Sequence, residues 1–349
     1  MRQGYAVQRT EKRQRTVPCL FPAFCERTYI MNTKVSASEK QVIWTYYPVV
    51  VVTAVFCCVL WGSAVPAIKI AYNLFQIDAG DTGSRIMLSG ARFTLAGLMT
   101  VLFGSIASRR LLLPKRESLK NVFVLSLVQT VGQYYFFFLA LTKTTGVRGT
   151  VINAANNFFT ILLAALVFRL EKLTVRKLAG CFVGFLGILL ILGGGGSLLE
   201  GGAFSLTGDG AMLLAAMFYA ISGCLIKIYS ENENPVVLSG YQFILGGVIL
   251  FLIGVATGGK LTFYSRACIP NLLYMGFLSA GAYTFWGFLL KYNPVSRVSI
   301  LGFVNPVMGV ILSALLLGEN KEAFSWNGLL ALGLVSLGII IVNGKSRDR

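Results

Sequence analysis

The chain has 349 residues, of which 55% are hydrophobic and 13% charged, against about 25% charged in an ordinary soluble domain. Its formal charge is +17 and it contains no histidine, which removes histidine triads, general bases and metal sites together. With a mean hydropathy of +0.71, the basic surplus does not read as a soluble nucleic-acid binder, and seven cysteines without a C-x-x-C spacing suggest neither a zinc site nor a disulfide framework.

Residues 1–47 read as a basic cytoplasmic tail; the first forty carry eight Lys/Arg and no long apolar run. No apolar core of about 7–15 residues precedes a cleavage site, so the segment is not a secretory signal. Met31 offers a second translation start, since MNTKVSASEK is an ordinary polar lead-in. A membrane-crossing helix needs about 20 apolar residues. Val49–Ile68 meets that without a charge, and further spans are predicted at 86–105, 120–141, 149–168, 175–193, 210–229, 236–256, 270–290, 296–317 and 325–343. The fold class is therefore all-α and polytopic. Long continuous runs rather than alternation exclude barrel strands. With the N-terminus inside, Arg109, Arg110, Lys115, Arg116, Arg169, Lys172, Arg176, Lys177, Lys291 and Arg297 fall in inside segments. The outside loops keep few basic residues, so both termini are expected to be cytoplasmic, and most of the charge is a topology signal.

The chain repeats itself. At a shift of 148 residues Tyr135 meets Tyr283, Lys143 meets Lys291, Asn157 meets Asn305, Glu171 meets Glu319 and Gly180 meets Gly328. In the earlier spans Trp61 meets Tyr219, Leu88-Ser89-Gly90 meets Leu238-Ser239-Gly240, and Gly97 and Gly104 meet Gly247 and Gly254. The organisation is thus a first five-helix repeat at 48–193, a glycine-rich linker at 194–208, a second repeat at 209–343 and a tail at 344–349. An odd number of spans per copy inserts the second copy the other way up. Such inverted repeats are the plan of secondary transporters, with substrate near the bilayer midplane.

The residues WGSAVPAIK at 61–69, SGARFTLAGL at 89–98, GDGAMLLAAMFYAI at the start of the sixth span and NPVMGVILSALLLGE from Asn305 to Glu319 resemble the EamA family of the drug/metabolite transporter superfamily. The resemblance covers about residues 48–343. It implies a ten-helix cytoplasmic-membrane carrier whose cavity is lined by the first four helices of each half, the fifth and tenth lying peripherally. It implies an amino acid, metabolite or toxic compound as cargo, often moved outward, and no cofactor. The family usually keeps a proline in the fourth and ninth spans. Here Pro306 is present but its partner position is Phe158, so the two halves are expected to bend differently.

Charged groups within a span are costly and tend to face a cavity. Arg92 lies well inside the second span and its repeat mate is Gln242. It is assigned to the cavity, with an interhelical hydrogen bond as the competing role. Lys69 and Lys227 lie near span ends, where snorkelling competes. Gln129, Gln133 and Tyr134 share a face of the third span, and Asn153, Asn156 and Asn157 a face of the fourth. Asn305 is the mate of Asn157, and Tyr219, Tyr283 and Trp286 add amphipathic rings. These are the candidate substrate contacts, against interhelical glue for the amides and core packing for the rings. Pro66 and Pro306 are the candidate kinks. No Asp or Glu lies within a predicted span, which argues against proton exchange on a midplane carboxylate and leans toward carboxylate or zwitterionic cargo. The expected partners are the lipid bilayer and a small molecule, with no nucleic acid; the oligomeric state is left open. A nucleotide-sugar or other anionic-metabolite carrier is the alternative within transport, and a membrane-embedded enzyme or a non-transporting scaffold the alternatives outside it.

Overall fold

The computed structural model describes residues 43–78, 80–141, 146–193, 205–317 and 326–343. Most of the basic tail and of the linker, the C-terminal tail, Lys143, Glu319 and Lys321 lie outside the described residues. Every regular element among the described residues is helical. We label them α1 (Tyr47–Leu74), α2 (Thr82–Ser108), α3 (Arg116–Ala140), α4 (Gly146–Leu166), α5 (Val175–Gly193), α6 (Leu206–Tyr229), α7 (Pro235–Ala256), α8 (Cys268–Tyr292), α9 (Val295–Leu301 followed by Val304–Leu317) and α10 (Trp326–Asn343). Among the described residues α1, α2, α3, α6, α7 and α8 are long and apolar enough to cross a membrane. Their outer faces are apolar too: Val52, Leu102, Ile106, Phe182 on α5 and Leu252 stand more than half exposed. So much exposed hydrocarbon suits acyl chains and not water.

Local chemistry sets the helix starts. The Asp81 carboxylate accepts the Ser84 amide at 2.9 Å to cap α2, and Asn234 caps α7 through Val236 N at 3.0 Å with Pro235 beginning the helix. At α6 the cap is reciprocal: Ser205 Oγ accepts from Gly208 N while Asp209 accepts from Ser205 N. This lengthens the sixth helix to Leu206, four residues before its predicted start.

Two helices are less regular than their sequences suggest. α3 carries a π-helical turn over Ser126–Gly132, where the Ser126 hydroxyl donates back to Val122 O at 2.9 Å. α9 is interrupted at Gly302–Phe303, whereas α4 is continuous. Pro306 explains the break. It has no N–H for the carbonyl four residues back, which is Gly302, and its ring crowds that carbonyl. The Asn305 amide takes that oxygen instead, at 3.0 Å.

α2 and α7 form the most extensive pairing. Gly83, Gly90, Gly97 and Gly104 recur every seven residues on α2, as do Gly240, Gly247 and Gly254 on α7. A Cβ on Gly97 would lie 2.5 Å from Gly240 O and 2.6 Å from Ile244 N; one on Gly254 would lie 2.6 Å from Met87 N. The two backbones touch along a glycine seam, the close approach that small residues permit between membrane helices. α5 pairs with α10 in the same way, Gly338 meeting Gly180 and Gly184. Otherwise α1 packs on α8 and α9, α6 on α3 and α4, α2 on α8, and α7 on α3.

The connections form two ends. At the first, Lys115 Nζ donates to Asn232 O at 2.8 Å, Lys227 Nζ to Lys291 O at 2.8 Å, and Glu171 accepts from both Ser296 N and Ser296 Oγ at 2.8 Å. At the second, Lys260 N donates to Ser84 Oγ at 2.8 Å, Cys268 Sγ to Leu74 O, and Phe75 packs edge-on against Phe263 with centroids 5.2 Å apart. Glu233 at the first end is 7% exposed. Burial would raise its pKa, but the amides of Asn234 and Lys115, the Ser118 hydroxyl and the Lys115 charge outweigh it and hold the carboxyl below its ordinary value. A depressed folded pKa gives stability that is complete above the unfolded value of about 4.3 and is lost as pH falls through the folded one. Glu233→Gln is therefore expected to cost about 1–2 kcal/mol at neutral pH. Thermal unfolding should show the deficit shrinking toward zero below about pH 4.

Candidate functional site

Inside the bundle α1, α2, α3, α6, α7 and α8 converge on an aromatic cluster. Trp61 lies edge-on to Tyr283 at 5.2 Å and to Trp286 at 5.0 Å, with Tyr219 at 6.5 Å. Phe243 packs on Tyr283 at 4.9 Å and stacks on Phe93 at 5.2 Å. The Tyr134 and Tyr283 hydroxyls share a hydrogen bond of 2.9 Å. Arg92 borders the cluster near the middle of α2. Its guanidinium lies over the Phe93 ring at 4.4 Å and the Tyr134 ring at 5.6 Å, a cation–π arrangement that gains strength where water is scarce. Arg92 is 5% exposed and its Nε has no hydrogen-bond partner.

Beside Arg92, toward the second end, runs a narrow cleft between α1 and α2, closed by α3 and α8. Its free volume is about 10 Å³, room for roughly one water. Tyr72, Arg85, Ser89 and Arg92 line it, with Leu88 and Phe138 among the apolar walls. Arg85 lies over the Tyr72 ring at 4.7 Å. Drug-sized ligands occupy pockets of about 300–1,000 Å³, so in this arrangement the cleft is closed and a cargo molecule enters only if the helices part. Both ends of the bundle are tied, which matches a core with little open space.

The predicted contacts fall into three sets. Arg92, Tyr134, Tyr219, Tyr283 and Trp286 meet in or beside the aromatic cluster. Gln129, Gln133 and Gln242 are buried between α3 and its neighbours. Gln242 Oε1 accepts the Thr130 hydroxyl at 2.6 Å, tying α7 to the π-turn of α3, while Gln242 Nε2, Gln129 Oε1 and Gln133 Oε1 have no partner. The third set is apart. Asn157 lies against Gly302 at the α9 break, where its amide oxygen fills the space a Cβ would need. Asn153, Asn156 and Asn305 are half-buried, Pro66 is buried within α1, and Pro306 sits just past the break. Arg85, Ser89, Tyr72 and Trp61 were not among the predicted contacts. The signal for the first two was in the sequence: Arg85, Ser89 and Arg92 stand at i, i+4 and i+7, one face of a helix.

The comparisons with known proteins agree with this architecture. The model of the EamA-like transporter family matches residues 48–193 and again 206–344. The chain belongs to the EamA-like transporter family. It is 28% identical over 294 residues to the WAT1-related protein At3g02690, chloroplastic, of Arabidopsis thaliana, covering 81% of this chain and 66% of that one, slightly under two thirds of the relative's length. It is 26% identical over 289 residues to a protein of Escherichia coli K12 named "Probable amino-acid metabolite efflux pump", covering 79% of this chain and 90% of that one. A crystal structure matches with a TM-score of 0.68 over 84% of this chain and 97% of the other, at 18% identity; that likeness speaks for the fold alone. As an EamA-like protein the chain is a multi-pass membrane transporter, and lipid and a small-molecule cargo are the partners its family implies.

Proposed function

We propose that this EamA-like protein carries a small polar metabolite across the cytoplasmic membrane by alternating access, without an enzymatic step. Ten crossings form two oppositely inserted halves, 48–193 and 209–343, joined by the 194–208 linker. The observation that carries this reading is the exchange pattern of the packing. Advance every helix by five and the pairings map onto themselves: α2 with α7 and α5 with α10 are self-paired, α1 on α8 and α9 becomes α6 on α3 and α4, and α2 on α8 becomes α7 on α3. A two-fold axis in the membrane plane has that effect, and secondary transporters rock their halves about such a centre. Arg109, Lys115, Lys172 and Arg176 gather at the first end, which supports placing that end, and both chain termini, in the cytoplasm. The name of the Escherichia coli relative supports export of an amino-acid metabolite. The predicted contacts in the aromatic cluster would meet the cargo, and those tied up in helix packing would shape the chamber.

Purified protein reconstituted in vesicles is expected to give saturable, selective counterflow of at least one class among amino acids, organic acids, nucleotides and sugars. Flux no greater than that of empty vesicles across all four classes would overturn the carrier reading.

A further inference from the structure

Four buried polar atoms without a hydrogen-bond partner belong to residues lining the α1–α2 cleft: the Tyr72 hydroxyl, Arg85 Nε, the Ser89 hydroxyl and Arg92 Nε. Buried polar groups are paired in the great majority of cases, so four orphans around one space call for a common explanation. All four can donate, and two belong to guanidiniums, which only donate. No carboxylate is among the lining residues. The two guanidiniums call for an acceptor, and an anionic one would also answer their positive charge.

We propose that the cleft, when the second end parts, binds the carboxylate of a small organic acid, with Arg85 as the outer contact and Arg92 as the inner one. The inference rests on the carrier reading, and names the cargo class for it. Arg85 and Arg92 are seven residues apart on α2, so their backbones are separated by about 10 Å along the axis. A single carboxylate therefore meets them in succession, Arg85 near the second end and Arg92 near mid-membrane. Aromatic faces support both guanidiniums, Tyr72 under Arg85 and Phe93 with Tyr134 under Arg92. Stacking fixes the plane of a guanidinium and leaves its N–H edge for the bidentate contact that carboxylates favour. Ser89 lies between them on the same face and adds a hydroxyl donor. The feature exists once: at a shift of 150 residues the places of Arg85 and Arg92 are taken by Pro235 and Gln242. An amine would face two like charges here.

The test is binding, measured by thermal shift on the full chain in detergent, with benzoate and succinate as probes. Benzamide, phenethylamine and inorganic phosphate are the comparisons. Ligands that bind the native state raise its melting temperature. Benzoate or succinate is expected to stabilise the wild type, and the three comparisons to leave it unchanged. Arg92→Lys should weaken the carboxylate response about tenfold or more, since an ammonium cannot give the bidentate contact. Arg85→Met, at a half-buried first-turn position that leaves the core intact, should abolish it and serves alone if the Arg92 variant does not fold. No shift with either carboxylate at about 10 mM, an equal shift with benzamide or phenethylamine, stabilisation by phosphate alone, or an undiminished response in Arg85→Met would each overturn the proposal. Carboxylate binding without vesicle flux would sink the carrier reading and leave this site standing; flux of amines or sugars without carboxylate binding would do the reverse.

Discussion

Gly97→Val is expected to remove most of the folded protein. At this point of the α2–α7 seam the added carbons meet Gly240 O and Ile244 N, which are main-chain atoms of the opposite helix. No rotamer can relieve such a clash, so the helices must separate along their length. Overpacking a core costs about 1–3 kcal/mol even where side chains can move; here the upper part of that range or more applies, against a total stability of about 5–15 kcal/mol. Gly223→Ala is the matched comparison. Its Cβ would stand 3.6 Å from Thr160 Cγ2, an ordinary contact, and Ala is the better helix former by about 1 kcal/mol. Size-exclusion profiles and melting temperatures should show loss of the monodisperse peak for the first variant and equal or higher stability for the second. A well-folded Gly97→Val protein would mean that α2 and α7 do not touch as described.

The second large effect concerns flux. If the halves rock, each end must part in turn, and holding either end shut must stop transport. Phe75→Cys with Phe263→Cys reports on the second end, where the two rings are 5.2 Å apart. Glu171→Cys with Ser296→Cys reports on the first, where the native side chains are hydrogen-bonded. The described native cysteines are buried, so replacing Cys19 and Cys25 by Ser gives a background suited to a cleavable thiol bridge. Bridging either pair is expected to cut vesicle flux about tenfold or more, with recovery on cleavage. Undiminished transport with both ends bridged would rule out alternating access.

Much of the architecture was legible because lipid imposes a coarse code. A stretch such as Val49–Ile68 has no other stable home, and the internal match of Leu88-Ser89-Gly90 with Leu238-Ser239-Gly240 marked α2 and α7 as repeat mates, though not as neighbours. The irregularities were harder to read. Pro306 announced a bend, but placing the break at Gly302 depends on which carbonyl the missing amide abandons. The π-turn in α3 had no comparable marker, since Ser126 and Thr130 are as common in regular helices. Among the site residues, Arg92 stood out by its cost within a span. Arg85 did not, because a count of loop charges absorbed it; only its seven-residue distance from Arg92, once the helix reaches back to Thr82, puts the two on one wall. The amides of Gln129, Gln133 and Gln242 looked alike in sequence, and Thr130 alone distinguishes the one that is engaged.

The glycine seam and the α5–α10 pairing have a consequence for descent. In each, a helix meets its own counterpart, so the surface that one copy offers is the surface that the other copy receives. Such self-complementary faces are what a pair of identical subunits uses to form a closed dimer. A solitary ancestral quintet, threaded into the bilayer in both senses, would already own the joint that this single polypeptide now carries internally, and fusion would have freed Arg85 and Arg92 to appear on one side only.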